Sequence, residues 1–369
     1  MEEWKEYKLG EVTVMKNGKK RPQSEGHYPV FGGNGIMDYS NDFNSDRVVI
    51  VGRVGAYCGC VYKCDEKCWV SDNAIAVFPK DIVDFHFLFY LMSNLDFHHH
   101  HIGGAQPLMT QDIIGDFNIK LPSLKCQQRI VSILKSLDDK IEVNRRINDN
   151  LEQQAQALFK SWFVDFEPFR DQPFVDSELG MIPEGWRVAT LFDVAEIYDK
   201  LRKPLSGKER EKMERLYPYY GATSCMDYVD SYIFNGTYTL IGEDGSVVKE
   251  DGLPYMQYVW GKFWVNNHAH ILQGKNGFST EMLHVFLSTT NIKHLVTGAV
   301  QAKLSQANMQ KILLAIPPSV ILDNIRPIIG GLYEMRKNNE DESARLETVR
   351  DILLPRLMSG ELKVSEINM

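Results

Sequence analysis

The sequence predicts an α+β chain: two globular domains related by a pseudo-twofold axis, each followed by a long α-helix, with the two helices pairing as an antiparallel coiled coil. Three observations predict it. YPVFGGNGIMDY (Tyr28–Tyr39) returns as YPYYGATSCMDY (Tyr217–Tyr228), so a large part of the chain is duplicated. Short β-type runs such as RVVIVG and YTLIG, broken by Gly, Asn and Asp, fill the first half of each copy. Apolar residues at alternating steps of four and three fill the second half.

The duplication is longer than the opening pair. Trp4, Leu9 and Val12 match Trp186, Leu191 and Val194, and Trp69 in WVSDNA matches Trp264 in WVNNHA. From there one offset of 195 holds through GGAQPLMTQ and GAVQAKLSQ, and on to Trp162 and Leu357. The expected divisions are a first domain over 1–122, a first long helix over 123–165 and a linker over 166–183. A second domain over 184–317, a second long helix over 318–360 and a tail over 361–369 follow. The linker, with Pro168, Pro173 and Pro183, reads as an extended connection.

In the first helix the stripe runs through Ile130, Leu134, Leu137, Ile141, Asn144, Asn148, Leu151, Ala155, Leu158 and Trp162. In the second it runs through Ile325, Ile329, Leu332, Asn339, Ser343, Leu346, Leu353 and Leu357. A sustained 3.5-residue period is that of a helix seam, and neither stripe is stable without a partner. Antiparallel pairing sets Ile130 opposite Leu357, Asn148 opposite Asn339 and Asn144 opposite Ser343. The polar seam positions then coincide and can hydrogen-bond. A helix of this length spans roughly 50 Å, about the length of 15 base pairs of duplex DNA.

Composition narrows the possibilities. The apolar fraction of 44% is that of a globular chain, and no apolar run approaches a membrane span. MEEWKEYK has no apolar core for a signal peptide, and six irregularly spaced cysteines read as reduced thiols, so the expected location is the cytoplasm. Of the net charge of −8, −4 falls over 1–122, 0 over 184–317 and the rest in the helices, linker and tail, so neither domain is a basic nucleic-acid binder by bulk charge. Any phosphate contact is local or shared with a partner. There is no GxxxxGK[ST] loop and no NPPY or DPPY run, and Glu361-Leu-Lys363 lacks the preceding Pro-Asp of a nuclease site. No catalytic residue is expected. Cys58, Cys60, Cys64 and Cys68 lack the paired C-x2-C spacing of a zinc site and read as small apolar thiols, so no metal is expected. His98–His101 reads as a solvent-facing cap at a helix end.

Several blocks together resemble the specificity (S) subunit of type I restriction–modification enzymes over essentially the whole length. They are the openings WKEYKLGEV and WRVATLFDV, the two YPxxG blocks, and LPSLKCQQRIVSILKSLDDKIEVNRRINDNLE. KSWFVDFEPF (160–169) and LLPRLMSGEL (353–362) also look like this family. The resemblance implies two target-recognition domains, each reading one half of a bipartite double-stranded DNA site. It implies that the helices dock two methyltransferase subunits, joined by restriction/translocase subunits. It also implies that this chain binds no cofactor, with S-adenosylmethionine on the methyltransferase and ATP and Mg on the restriction subunit. A standalone DNA-modifying enzyme and a coiled-coil adaptor without DNA remain the competing readings.

Candidate DNA contacts follow from comparing the copies. Each has a basic loop suited to phosphates: Lys16, Lys19, Lys20 and Arg21, against Lys200, Arg202 and Lys203. Between shared anchors the residues differ, with Asn34 in one copy and Thr223 and Ser224 in the other. Arg53 and Tyr57 stand against Glu243 and Asp244, where Arg suits guanine and a carboxylate suits cytosine N4. Asn73 against His268, and Gln106 against Gln301 with nearby Lys303, complete the set. The expected subunit-interface and seam residues are Leu137, Ile141, Asn144, Asn148, Leu151, Leu158, Trp162, Leu332, Asn339, Leu346, Leu353 and Leu357.

Overall fold

The computed structural model describes residues 4–103, 107–298 and 301–364. They fall into two compact units, Met1–Val143 with Asp341–Met369, and Asn144–Glu340.

In the first unit a six-stranded sheet is built around Ser45–Gly52, whose run Val48–Val51 is fully buried. A central strand covered on both faces is read as a continuous apolar run, which VVIV supplies. Ala74–Pro79 and then Thr13–Asn17 lie on one side of it. Val61–Val70, Tyr28–Gly32 and Gly35–Ser40 follow on the other. All pairings are antiparallel except Tyr28–Gly32 with Val61–Val70, where Val30 is opposite Trp69. The helix Phe85–Ser93 covers the sheet, started by Asp84, whose carboxylate accepts from the backbone N–H of His86 and Phe87 at 2.9 and 3.0 Å.

The second unit repeats this plan in two four-stranded sheets. One has the order Ala195–Ile197, Ala269–Gly274, Tyr238–Gly242, Met256–Val259. The other has the order Cys225–Val229, Tyr217–Tyr220, Lys262–Val265, Phe234–Asn235. Its parallel step sets Tyr219 opposite Trp264, the counterpart of Val30 with Trp69. The covering helix is Thr280–Ser288, capped by Ser279.

The long helices are Leu124–Phe163 and Ser319–Met358. Within the first unit their segments run antiparallel, since Asp138 meets Arg350 at 3.0 Å, Lys140 meets Glu342 at 3.0 Å, and Ile130 and Leu357 share one core. Tyr90 donates to Asp138 at 2.6 Å and so ties the globular part to this pair. Within the second unit the pairing is again antiparallel. Asn339 Nδ2 donates to Asn148 Oδ1 at 2.9 Å, Asn144 donates to the Asn339 carbonyl at 3.3 Å, and Arg336 lies 3.3 Å from Glu152. Asn144 is fully buried and Asn148 nearly so, while the flanking Leu137 and Ile141 are only half-buried.

The seam departs from the strict 3.5 period at its ends. Leu151 and Ala155 are buried as the stripe requires, but then Phe159 and Phe163 take the buried positions while Leu158 and Trp162 pack at the margin. In the partner segment Tyr333, rather than Leu332, is buried. Leu346 and Leu353 are half-buried, and Leu357 is fully buried. A straight helix turns every 3.6 residues, so a 3.5 grid drifts off its face, and larger rings enter where the helix meets a globular core.

The linker is folded, not extended. Phe174–Val175 pairs with Ile182–Pro183 as a small hairpin, and Phe169, Ile182 and Trp186 are buried. Phe166 and Phe169 each lie edge-on to Trp186 at 5.2 Å between ring centroids. A segment this aromatic is stabilised by leaving water, at ~1.5–3 kcal/mol for each large side chain fully buried. After the second helix Gly360, at φ 74°, turns the chain so that Leu362 N–H reaches the Arg356 carbonyl at 3.0 Å.

Candidate nucleic-acid interface

The two domains share one backbone frame at the end of their central strands. Arg53 N–H donates to the Asn73 carbonyl at 2.9 Å, and Glu243 N–H donates to the His268 carbonyl at 2.8 Å. The Arg53 carbonyl accepts from Met109 N–H at 2.8 Å, and the Glu243 carbonyl accepts from Leu304 N–H at 2.8 Å. Beside them Val54 bridges to Leu108, and Asp244 bridges to Lys303. The strand ends also share a requirement for glycine: a Cβ on Gly52 would lie 2.2 Å from the Tyr57 carbonyl oxygen, and one on Gly242 2.6 Å from that of Ser246. Equivalent backbones thus present different side chains.

The basic loops are anchored in the same way twice. Trp69 Nε1 donates to the Lys19 carbonyl at 3.2 Å, and Trp264 Nε1 donates to the Lys203 carbonyl at 2.6 Å. The two tryptophans of WVSDNA and WVNNHA therefore fix the loops that carry the lysines. These connections join residues 50 and 61 positions apart, so sequence spacing alone does not suggest them.

In the first domain Lys16, Lys19, Lys20, Asn34, Tyr57 and Asn73 are exposed. Arg21 is ion-paired with Asp38. Arg53 is half-buried, its guanidinium 3.5 Å from the Asp72 carbonyl, and it meets no carboxylate among the described residues. Gln106 lies outside the described residues.

In the second domain Lys200, Lys203, Thr223, Ser224, His268 and Gln301 are exposed. Two expected DNA contacts are instead engaged with each other. Arg202 Nη1 lies 2.5 Å from Glu243 Oε2, with 2.8 Å to the Ala269 carbonyl, and both side chains are largely buried. Arg202 is thus an internal strut and not a phosphate-facing group, and Glu243 is not a free acceptor for cytosine. Asp244 is likewise paired, with His268. Lys303 Nζ lies 3.5 Å from Glu243 Oε1 and remains 54% exposed.

Beneath this cluster lie residues that the sequence reading did not select. Asp199 Oδ2 meets His270 Nδ1 at 2.5 Å and Gln306 Nε2 at 2.6 Å, and Asp199 Oδ1 accepts from Ile271 N–H at 3.0 Å. Burial alone would raise this carboxyl, but these donors hold it below the usual carboxylate range. His270 Nε2 meets the Leu304 carbonyl at 2.7 Å. The first domain carries Asn17 and Gln111 at the equivalent places, their side-chain amides 3.0 Å apart, and apolar Ile75 where His270 stands. Lining up the repeats residue by residue would have exposed this exchange.

Asp199, Glu243 and His270 place three potential ligand atoms within 4.8 Å, the one such group among the described residues. Arg202, 2.5 Å from Glu243 and 3.4 Å from Asp199, already supplies positive charge there. The cysteines do not form a comparable group: Cys64 and Cys68 are buried on one strand, Cys58 is buried before it, and Cys60 is half-buried. His98–His101 follows the helix end by several residues and forms a turn around Asp96, with His99 Nδ1 at 2.7 Å from its carboxylate, so it is not a helix cap.

Among the described residues no helix is long and apolar enough to cross a membrane. A family model described as the type I restriction modification DNA specificity domain matches residues 1–153 and again 183–328. The chain is 28% identical over 321 residues to the type I restriction enzyme MjaIX specificity subunit of Methanocaldococcus jannaschii, covering 79% of this chain and 72% of that one. It is 25% identical over 340 residues to the type I restriction enzyme HindI specificity subunit of Haemophilus influenzae, covering 70% and 72%. Its fold is similar to the crystal structure of a type I restriction–modification S subunit from M. genitalium, with a TM-score of 0.60 at 18% identity over 97% of this chain and 96% of that one. Matched in both of its repeated halves, the chain belongs to the type I restriction–modification DNA specificity family.

Proposed function

We propose that this chain is the non-catalytic recognition subunit of a cytoplasmic type I restriction–modification complex, each globular domain reading one half of a bipartite DNA site. The long helices dock two adenine-methyltransferase subunits, and restriction subunits join through that complex. S-adenosylmethionine belongs to the methyltransferase, and ATP and Mg belong to the restriction subunit.

One observation carries the reading. Arg53 and Glu243 hold the same backbone bonds in the two domains yet differ in side chain and surroundings: Arg53 meets no carboxylate among the described residues, and Glu243 is tied to Arg202. A duplicated scaffold with exchanged side chains is what two different half-sites require, because sequence is read by side-chain contacts to base edges while phosphate contacts only position the protein. Domains with no excess of basic residues, −4 and 0 in net charge, fit a reader whose phosphate contacts are largely supplied by partners.

The test is a map of methylated adenines in DNA from cells expressing this chain with its methyltransferase subunit. The expected result is a two-part motif with a fixed spacer. Methyl transfer by the purified chain alone would favour a self-contained enzyme, and no motif from a stable complex would favour an adaptor.

A further inference from the structure

Lys303 stands where the two domains exchange charge. Its counterpart in the first domain is Leu108, and the residue facing it across the bridge changes from Val54 to Asp244. The first domain carries its cation on the central strand end as Arg53. In the second domain that position is Glu243, and the exposed cation lies on the facing backbone as Lys303. We propose that Lys303 is the specificity-determining cation of the second domain, and that Glu243 is the residue that positions it. This rests on the two-half reading given above and adds which side chain does the reading.

The geometry around Lys303 is built from both sides. Glu243 accepts Leu304 N–H at 2.8 Å through its carbonyl, and His270 Nε2 meets the Leu304 carbonyl at 2.7 Å, so the backbone next to Lys303 is held at both its polar groups. Thr297 and Lys303 exchange backbone hydrogen bonds at 2.9 and 2.7 Å. Glu243 is fixed in turn by Arg202, and Arg202 by Asp199 and the Ala269 carbonyl. The Lys303 ammonium lies 3.5 Å from Glu243 Oε1 and stays 54% exposed, so a ligand can reach its donors.

Charge decides between the two chemistries a lysine offers DNA. The Lys303 ammonium already faces the Glu243 carboxylate, so it has less net charge to offer a phosphate than a free lysine has. The O6 and N7 acceptors of guanine are uncharged and are bound through hydrogen bonds, which this lysine can still donate. The ligand that fits is the major-groove edge of a guanine in the second half-site.

The test uses the complex of this chain with its methyltransferase subunit, on duplexes carrying the recognised motif and each single-base change in either half. Lys303→Gln is expected to lose about tenfold or more of the discrimination at one second-half base pair, with first-half discrimination intact. The intact first half reports folding and assembly in the same molecule. Glu243→Gln is expected to weaken the same base pair, and the double variant to be no worse than Lys303→Gln alone, since one residue acts through the other. Uniform weakening across all sequences with a shallower salt dependence would mark a phosphate contact and overturn the proposal. Additive losses at different base pairs would overturn the positioning role. A wild-type complex that discriminates nowhere in the second half would instead overturn the two-half reading itself.

Discussion

His284 shows how a single buried side chain ties stability to pH. It is buried among Tyr258, Tyr333 and Thr239, with ring centroids 5.4 and 5.8 Å from the two tyrosines and Thr239 Oγ1 3.2 Å from Nδ1. Burial pushes its imidazole down to about 3, and the nearby Arg336 guanidinium adds to the shift. The folded protein therefore holds it neutral while the unfolded chain protonates it near pH 6.5. Its contribution is present above that value and is lost as pH falls toward 3, by about 1.4 kcal/mol per pH unit. Denaturant unfolding at pH 7, 6 and 5 should show the fall, and His284→Gln should flatten it; an equally steep fall in the variant would assign the effect elsewhere. The histidine itself was plain in the sequence, but its burial was not, because TEMLHVFLSTT reads as helical without showing which face meets the sheet. Arg202 and Glu243 were selected as separate DNA contacts for a similar reason: residues 41 positions apart carry no sign of the ion pair that removes both from the surface.

At the scale of elements, the helix pair was the most legible part of the fold. A stripe of apolar residues with asparagines at matching places specifies both antiparallel direction and register, and Asn148 and Asn339 do meet at 2.9 Å. What the stripe could not show is where packing overrides period: Phe159, Phe163 and Tyr333 displace Leu158, Trp162 and Leu332 from the buried face. The Asn pair leads to a prediction about register. Asn148→Ala leaves the Asn339 amide without its acceptor and should cost about 1–3 kcal/mol. Replacing both Asn148 and Asn339 with Leu should restore or raise the melting temperature but weaken the single register, as buried polar pairs at seam positions do. A double variant as unstable as the single would contradict the pairing. The linker's three prolines point to an extended chain, whereas Phe166, Phe169 and Ile182 pack with Trp186 and fold it.

At the scale of the whole molecule, duplication is the central fact, and it was visible from the first repeated stretch. The family match covers both copies, and each copy keeps the bonds that shape the frame while changing the side chains upon it. Differences such as Asn17 against Asp199 and Ile75 against His270 have to be changed together, because a buried carboxylate needs its donors. On the proposed reading, exchanging specificity would therefore require exchanging a whole domain and not one loop. The most direct test is a chain in which residues 184–317 are replaced by a second copy of residues 1–122, mapped by its adenine methylation alongside the parent. Both halves of the methylated motif should then carry the same bases, those of the half that the first domain reads. A motif left unchanged, or altered in the half that the first domain reads, would contradict the claim that each domain reads its own half.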